Sequence, residues 1–551
     1  MAAGIDVTRP AWMQGLRLGL AALVLYLLLV QPNHPQAMTP GALAVFPLEL
    51  PVLLLGLVAI GAGTAGRVVR AAVVAILMLI VVLKLADYAL FVAFGRGFNP
   101  VADLPLADAG VRLLAGSVGP VMAAGAILAA LAAVAGVAWL AWWATGVWAG
   151  IGRGPTAARL SAGVALVFAV VAVAEVGHAM RRWELPASPP GAAFTARVGV
   201  ERVETAGRTL TELREFREAA AQDPFAARGD LLALIDRDVM VIYVESYGRT
   251  SFDTPYYSEV HLPTIREAEA RLAELGLSMR SGFVDAPTMG GQSWLSHATF
   301  ANGLRIDNQM RHGAVLASGR RTLFHLARES GFHTAAVMPQ ITLDWPEADF
   351  MGFETVLAAR DLGYRGLPFN WVTMPDQFTF AALDRLLRDG GDGRRLFVQV
   401  ALGSSHAPWV PVPDLVDWDE IGDGTIFNDM ATSGDPPEVV WRDRDRVRAQ
   451  YRLAVDYSLR TVFEYAARHA GDPPLIFMLG DHQAAGFVAL DDRPDVAVHV
   501  IGPAELVDRV ADWGWTPGLI PPEDMPALPM QRMRDMILDT FSTQRLDGSA
   551  G

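Results

Sequence analysis

The stretch Val239-Met-Val-Ile-Tyr-Val-Glu-Ser246 decides the fold class, because six apolar residues end abruptly in two polar ones. A short apolar run rich in β-branched residues is typical of a strand that is buried on both faces. Four similar runs follow at intervals that are filled by helical patterns, namely 334–338, 396–400, 475–479 and 496–501. This alternation predicts an α/β domain with a mostly parallel sheet.

Polar side chains follow three of these predicted strands. The first run leads into Glu245, the third into Ser404-Ser-His406 and the fourth into Gly480-Asp-His482. Ligands of open α/β sheets gather beyond the carboxyl ends of the strands. A single His after a strand is more often a hydrogen-bonding loop residue, but three such ends together favour a site. One Glu, an Asp-His pair and a further His suit one divalent metal, manganese or zinc.

A candidate nucleophile lies in Asp285-Ala-Pro-Thr-Met-Gly-Gly-Gln-Ser293, which precedes an apparent helix. Gly290 and Gly291 let the backbone approach a phosphate closely. The helix N-terminus then offers unpaired N–H groups to an anion. A metal-bound Ser293 would lose its proton more easily and attack phosphorus. Ser293 could instead serve only as an N-cap, and Thr288 and Ser296 are alternative nucleophiles.

The N-terminal part of the chain has a different character. Five apolar segments are long enough to cross a bilayer, near 12–31, 43–63, 69–94, 119–147 and 157–178. Pro47 and Pro51 interrupt the second segment. We therefore predict a multi-pass domain of about five helices over residues 1–180. A linker with an amphipathic helix follows over 181–232, and the catalytic domain occupies 233–545.

Charge and composition orient the chain and exclude some functions. Arginines mark the N-terminal flank and the second and fourth predicted loops: Arg9, Arg17, Arg67, Arg70, Arg153 and Arg159. The positive-inside rule then puts the N-terminus in the cytoplasm, and five crossings put the α/β domain outside a bacterial inner membrane. The net charge of −14 argues against a nucleic-acid partner. The absence of cysteine excludes a thiolate nucleophile and a disulfide framework.

The order of these motifs resembles the sulfatase-like branch of the alkaline phosphatase superfamily. The likeness is greater to its membrane-anchored phosphotransferases, which are the lipoteichoic acid synthases and the phosphoethanolamine and phosphoglycerol transferases. The resemblance implies that Glu245, Asp481 and His482 are metal ligands and that Ser293 is the metal-bound nucleophile. The family usually has Thr at that position. A true sulfatase would need a C/S-x-P-x-R motif, which the residues around Ser293 do not provide.

The resemblance also implies residues that contact the substrate. His406 matches the His that contacts the substrate phosphate or protonates the leaving oxygen. Trp345 lies where the synthases keep a Trp near the headgroup, and Trp409 is a further candidate for substrate binding. Asp376, in the segment before the His406 strand, is expected to be structural. The acidic, Pro-rich segment 411–445 could cover the site, but a solvated insertion is the favoured interpretation.

The function implied by the resemblance is transfer of a phosphoglycerol or phosphoethanolamine headgroup through a phospho-Ser intermediate. The donor would be a membrane phospholipid and the acceptor a cell-envelope glycan or lipid. A membrane-anchored phosphodiesterase or phosphatase is the first alternative, because the acceptor is chosen by the shape of the pocket. An inactive membrane scaffold or sensor is the second. The retention of Glu245, Asp481, His482 and a hydroxyl argues against the scaffold.

Overall fold

The protein was analysed as a computed structural model. It describes residues 10–94, 96–104, 107, 110–111, 114–115, 118–152, 154–187, 189–343, 345–370 and 373–544. Arg9, Arg153 and the predicted domain end at 545 lie outside the described residues. The chain forms two compact units, 1–212 and 213–551. The boundary falls within the predicted linker, on a helix over Phe194–Ala221 that corresponds to the predicted amphipathic helix.

Four helices of the first unit are long and apolar enough to cross a membrane: Ala11–Val30, Thr64–Phe94, Pro120–Ala149 and Pro155–Ala179. The prediction of about five such helices was therefore wrong by one. The segment 43–63 forms only a 12-residue helix, Glu49–Ile60, after a five-residue helix over Pro40–Ala44. At about 1.5 Å per residue, twelve residues fall well short of a hydrocarbon core of roughly 30 Å.

Residues at the break before the helix Glu49–Ile60 form hydrogen bonds with the segment 192–196. The amide of Leu48 donates to Ala192 O (3.1 Å), and the amide of Ala192 donates to Phe46 O (3.0 Å). Glu49 Oε1 accepts the amide of Ala196 at 2.9 Å. Pro47 lacks an amide hydrogen, so the helix cannot continue smoothly through it. Pairing with the segment around Ala192 satisfies the backbone groups that the break exposes.

The second unit contains a nine-stranded sheet in which β4, β3, β5, β1, β6, β7, β2 and β8 lie side by side and β9 pairs with β2. The strands are β1 Val239–Val244, β2 Ser278–Asp285, β3 His333–Met338, β4 Thr355–Ala358, β5 Leu396–Ala401, β6 Leu475–Gly480, β7 Asp495–Gly502, β8 Thr516–Pro517 and β9 Leu528–Pro529. All five predicted strands are present. The pairs among β4, β3, β5, β1 and β6 are parallel, whereas β7 is antiparallel to both β6 and β2.

Both faces of the sheet are covered, as the apolar run of β1 predicts. Met240, Ile242 and Val244 belong to one buried apolar cluster, and Val241 and Tyr243 belong to another on the opposite face. Helices of the unit are Thr250–Asp253, Pro255–Glu274, Ser293–Asn302, Gln309–Leu316, Leu323–Glu329, Asp376–Leu383, Asn428–Ala431, Pro437–Val440, Arg444–Arg468, Gly486–Ala489, Ala504–Val507 and Arg532–Thr540. The second unit therefore has the predicted α/β fold, and it follows an apolar helical region in the sequence.

Candidate active site and metal centre

Three neighbouring strands carry the predicted site residues. β1 lies between β5 and β6 in the sheet, and all three run parallel. Val244 is in register with Gly480, which places Glu245 and Asp481 side by side just beyond the strand ends. Ligand atoms of Glu245, Asp481 and His482 lie within 4.8 Å of one another, and all three residues are buried. The parallel topology therefore brings the three predicted metal ligands together.

The donor set fits a divalent cation. His482 Nδ1 donates to the backbone oxygen of Gln483 at 3.0 Å. Burial lowers the pKa of His482, but the Asp481 and Glu245 carboxylates outweigh it and raise that pKa to about 9, so a cation would bind Nε2 in place of a proton. His482 Nε2 lies 3.1 Å from Glu245 Oε1 but has no hydrogen-bond partner among the described residues. An unpartnered buried nitrogen between two carboxylates is the arrangement that a shared cation would satisfy. Manganese and zinc both accept such oxygen and imidazole ligands.

The pKa shifts of the two carboxylates also favour a cation in the cluster. Burial and the adjacent Glu245 carboxylate raise the pKa of Asp481 well above its ordinary value. Burial alone would also raise the pKa of Glu245, but the charges of His406 and His482 outweigh it and hold that pKa low. Two buried carboxylates this close repel each other when both are ionised. A bound cation would remove that repulsion.

A loop that holds Ser293 is joined to the Asp481–His482 loop. The amide of Gly290 donates to Gln483 O at 2.8 Å. Gly290 has φ +74°, and a Cβ atom there would lie only 3.1 Å from the Ala485 side chain, so glycine is required on both grounds. Gln292 is left-handed with φ +66°, and the helix Ser293–Asn302 begins at the next residue.

Ser293 reaches the metal cluster directly. Its Oγ donates a hydrogen bond to Glu245 Oε2 at 3.1 Å, and the residue is half-buried. Ser293 is thus accessible at the start of a helix whose first amides can hold an anion. Thr288 Oγ1 and Ser296 Oγ are buried without a hydrogen-bond partner in the part of the chain that the structure describes. Of the three hydroxyls, Ser293 is the one for which the structure gives a bond to the cluster.

His406 lies in a loop that a buried carboxylate organises. Asp376 Oδ1 accepts the amides of Gly403 (2.8 Å) and Ser404 (2.9 Å), and its Oδ2 accepts the Ser458 hydroxyl at 2.6 Å. His406 Nδ1 donates to Ala407 O at 2.5 Å, and its contact with a substrate stays a prediction. His406 is among the groups whose electrostatic interaction lowers the pKa of Glu245, which indicates that the two side chains are near each other.

The two tryptophans that are predicted to contact the substrate differ in how far they are exposed. Trp345 is half-buried and its ring is 6.2 Å from that of Phe353. Trp409 is only 4% exposed, and its Nε1 donates to Ser405 O at 2.7 Å. A ring so enclosed offers little face to a substrate. Substrate binding by either residue stays a prediction.

Sequence reasoning missed the pair His297 and Tyr243, which lie four residues after Ser293 and two residues before Glu245 in the sequence. His297 lies one helical turn after Ser293, and its ring packs at 4.0 Å on Tyr243, two residues before Glu245. His297 Nε2 and Tyr243 Oη are both buried and unpartnered among the described residues. Burial lowers the pKa of His297 to about 4, so the ring is neutral at pH 7. The i, i+4 spacing from Ser293 was the available signal.

No family model matches the sequence, and no curated protein sequence is detectably similar to it. Solved structures that are similar include the C-terminal periplasmic domain of the phosphoethanolamine transferase EptC from Campylobacter jejuni. The identity is 11%, the match covers 55% of this chain and 89% of that one, and the TM-score is 0.36.

Two more of the similar structures are of transferases or synthases. The phosphoglycerol transferase GacH of Streptococcus pyogenes is 12% identical over 60% of this chain and 90% of that chain, with a TM-score of 0.35. The lipoteichoic acid synthase LtaP of Listeria monocytogenes is 13% identical over 53% of this chain and 72% of that chain, with a TM-score of 0.32. The fold assignment itself comes from the strand order and register of this chain.

Proposed function

We propose that this chain is a membrane-anchored, metal-dependent phosphotransferase that moves a phosphoglycerol or phosphoethanolamine headgroup from a phospholipid to an envelope acceptor. The observation that carries the proposal is the contact of Ser293 Oγ with Glu245, inside the cluster that Asp481 and His482 complete. A hydroxyl, a candidate cation site and a helix N-terminus converge there. That combination suits nucleophilic attack on a phosphodiester.

The cluster would hold one divalent cation, manganese or zinc, through Glu245, Asp481, His482 and Ser293. Such a cation neutralises charge on phosphoryl oxygens and lowers the pKa of a nearby hydroxyl. The protein residues perform the remaining tasks. The amides at the start of Ser293–Asn302 bind a phosphoryl oxygen, and the Gly290–Gly291 turn lets the phosphate approach the backbone.

In the first half-reaction, Ser293 Oγ, held by its hydrogen bond to Glu245, attacks phosphorus and releases its proton to solvent water. The bond between phosphorus and the diacylglycerol oxygen breaks, and His406 Nε2 protonates that oxygen. In the second half-reaction, an acceptor hydroxyl attacks the phosphoserine and gives its proton to His406. The Ser293 oxygen leaves and recovers a proton from solvent water, so both half-reactions balance.

We propose that the second unit, 213–551, which carries the candidate active site and is called the catalytic unit below, lies outside the cytoplasmic membrane. Arg159 lies at the start of the helix Pro155–Ala179, and the positive-inside rule puts that end in the cytoplasm and the unit that follows the helix outside. A membrane anchor also holds the site close to its lipid donor.

The test uses the full chain in nanodiscs that contain phosphatidylglycerol or phosphatidylethanolamine, with Mn²⁺ or Zn²⁺ and an envelope extract as acceptor. We expect metal-dependent release of diacylglycerol that Ser293→Ala abolishes and Ser433→Ala, at an exposed surface, does not. Loss of release in Thr288→Ala alone would assign the nucleophile to Thr288. Headgroup phosphate that passes only to water would indicate the hydrolase. Metal binding without cleavage of either lipid would contradict the proposal.

A further inference from the structure

An exposed aromatic surface lies beside the candidate active site. Trp441 is 44% exposed and stacks flat on the buried Trp409, with ring centroids 5.6 Å apart and planes 4° from parallel. Phe487 is 37% exposed and meets Trp441 edge-on, at 6.4 Å and 68°. We call Trp409, Trp441 and Phe487 the aromatic shelf. Two of its rings offer apolar area to solvent within one small region.

Hydrogen bonds within the protein hold the residues of the aromatic shelf in place. Trp409 Nε1 donates to Ser405 O at 2.7 Å, and Trp441 Nε1 donates to Pro408 O at 3.2 Å. Arg448 Nε donates to the backbone oxygen of Phe487 at 2.9 Å. Both indole N–H groups are therefore satisfied inside the protein, which fixes the orientation of the two flat rings. A preorganised ring loses little conformational entropy when a ligand stacks on it.

Packed side chains connect the shelf to the catalytic loops. Trp409 follows His406 by one turn, and its amide donates to His406 O at 3.1 Å. Its ring also meets Tyr451 at 5.4 Å, and Tyr451 Oη donates to the backbone oxygen of Ser246, the neighbour of Glu245. Phe487 follows His482 by five residues. The shelf thus extends outward from the loops that carry His406 and His482.

Charged residues surround the exposed rings. Trp441 begins the exposed run Trp-Arg-Asp-Arg-Asp-Arg446, and Glu438 lies exposed one turn before it. The Arg444 guanidinium lies 5.8 Å from the centre of the Phe487 ring. Carboxylates beside Trp441 oppose its insertion into an anionic lipid surface. Flat apolar faces bordered by hydrogen-bonding carboxylates and guanidinium groups instead match a sugar ring, which has an apolar C–H face and a rim of hydroxyls.

We propose that the aromatic shelf binds a sugar ring of a glycan acceptor and delivers its hydroxyl to the phosphorylated Ser293. This inference rests on the proposed function and narrows its acceptor to a carbohydrate. Trp441 and Phe487 supply the contact face. Trp409 acts through Trp441 by holding its ring flat, and so is a positioning residue.

The binding test does not depend on turnover. Saturation-transfer NMR would measure binding of maltotetraose, cellotetraose and chitotetraose to the full chain in detergent micelles. We expect at least one of the three to bind, and Trp441→Ala to weaken it about tenfold, as the loss of one aromatic stacking contact implies. Trp441→Phe should restore part of the affinity. Phe350→Ala, which removes a ring outside the aromatic shelf that is 56% exposed, should change nothing.

Two results would overturn the inference: no binding of any of the three sugars, or equal binding by wild type and Trp441→Ala. The second readout is the fate of the headgroup. Trp441→Ala should lower the fraction of headgroup that is transferred to glycan and raise the fraction that passes to water. The protein could bind a sugar through Trp441 and yet cleave no lipid. That result would contradict the proposed function but would still support the aromatic shelf as a glycan-binding surface.

Discussion

Ser293 Oγ donates a hydrogen bond to Glu245 Oε2 at 3.1 Å across a separation of 48 residues. The strand that ends at Val244 and the helix that begins at Ser293 make this contact possible. Glu245 is also within 3.1 Å of His482. One carboxylate therefore faces both the candidate nucleophile and the candidate metal ligands. The predictions below separate these roles.

Metal binding and turnover should be separable by mutation. His482→Gln removes the imidazole whose Nε2 faces Glu245, and we expect metal affinity to fall at least about tenfold. His406→Gln should keep the metal and lose turnover, because its proposed task is proton transfer. Inductively coupled plasma mass spectrometry of dialysed protein measures the metal. Equal metal content in wild type and His482→Gln would remove this residue from the site.

Asp376 should act as a positioning residue for the His406 loop. In Asp376→Ala the amides of Gly403 and Ser404 lose their acceptor, and each unpaired amide costs about 1–3 kcal/mol. We expect kcat to fall roughly tenfold or more, with metal affinity unchanged, since small displacements of a catalytic group are expensive. Asp376→Asn keeps an oxygen for the amides and should recover much of the rate. A lower melting temperature with unchanged kcat would show a purely structural role.

The stability of the catalytic unit should fall in acid partly through His261. Burial lowers the pKa of His261 to about 4, although its Nε2 donates to Arg452 O at 2.8 Å. The unfolded chain takes up this proton near pH 6.5, so stability is present above that pH and is lost as pH falls towards 4. The loss is about 3 kcal/mol at the acid end.

His261→Gln keeps a donor for Arg452 O and cannot titrate in this range. Its melting temperature should therefore fall less steeply than that of wild type between pH 7 and pH 4. Thermal unfolding followed by circular dichroism measures both slopes. Parallel slopes would mean that His261 is protonated equally in the folded and unfolded states.

The absence of cysteine makes the membrane topology simple to measure. Ser433→Cys lies on the surface of the catalytic unit, and Gly152→Cys follows the helix Pro120–Ala149. An impermeant maleimide added to intact spheroplasts should label Ser433→Cys and reach Gly152→Cys only after lysis. The reverse pattern would place the catalytic unit in the cytoplasm.

The central strands and their polar ends were predictable because periodicity and burial coincide there. β1 is apolar on both faces, and Glu245, Asp481 and His482 follow directly from strand ends that parallel pairing brings together. β2 escaped prediction. Its sequence Ser-Met-Arg-Ser-Gly-Phe-Val-Asp carries polar residues and a glycine, and Ser281 is accommodated in the sheet by hydrogen bonds to His499 and Gly518.

Several features of the structure depend on tertiary contacts and could not be predicted from the sequence. The interrupted segment at Pro47 has an apolar composition that favours a span, but its proline breaks the helix. The acidic segment 411–445 reads as solvated, yet Phe427 and Val440 are buried in the core. Trp441 stacks on Trp409 only because the chain returns to the His406 loop. Such pairings join distant residues and leave no local pattern.

The central claim is that Ser293 is the nucleophile, and a covalent adduct tests it most directly. The full chain in nanodiscs would be incubated with metal and phosphatidylglycerol or phosphatidylethanolamine without an acceptor, then quenched in acid and digested for peptide mass spectrometry. We predict a phosphoglycerol or phosphoethanolamine group on Ser293 that is absent from Ser293→Ala and present in Thr288→Ala. An adduct that persists in Ser293→Ala, or that maps to Thr288, would contradict the account.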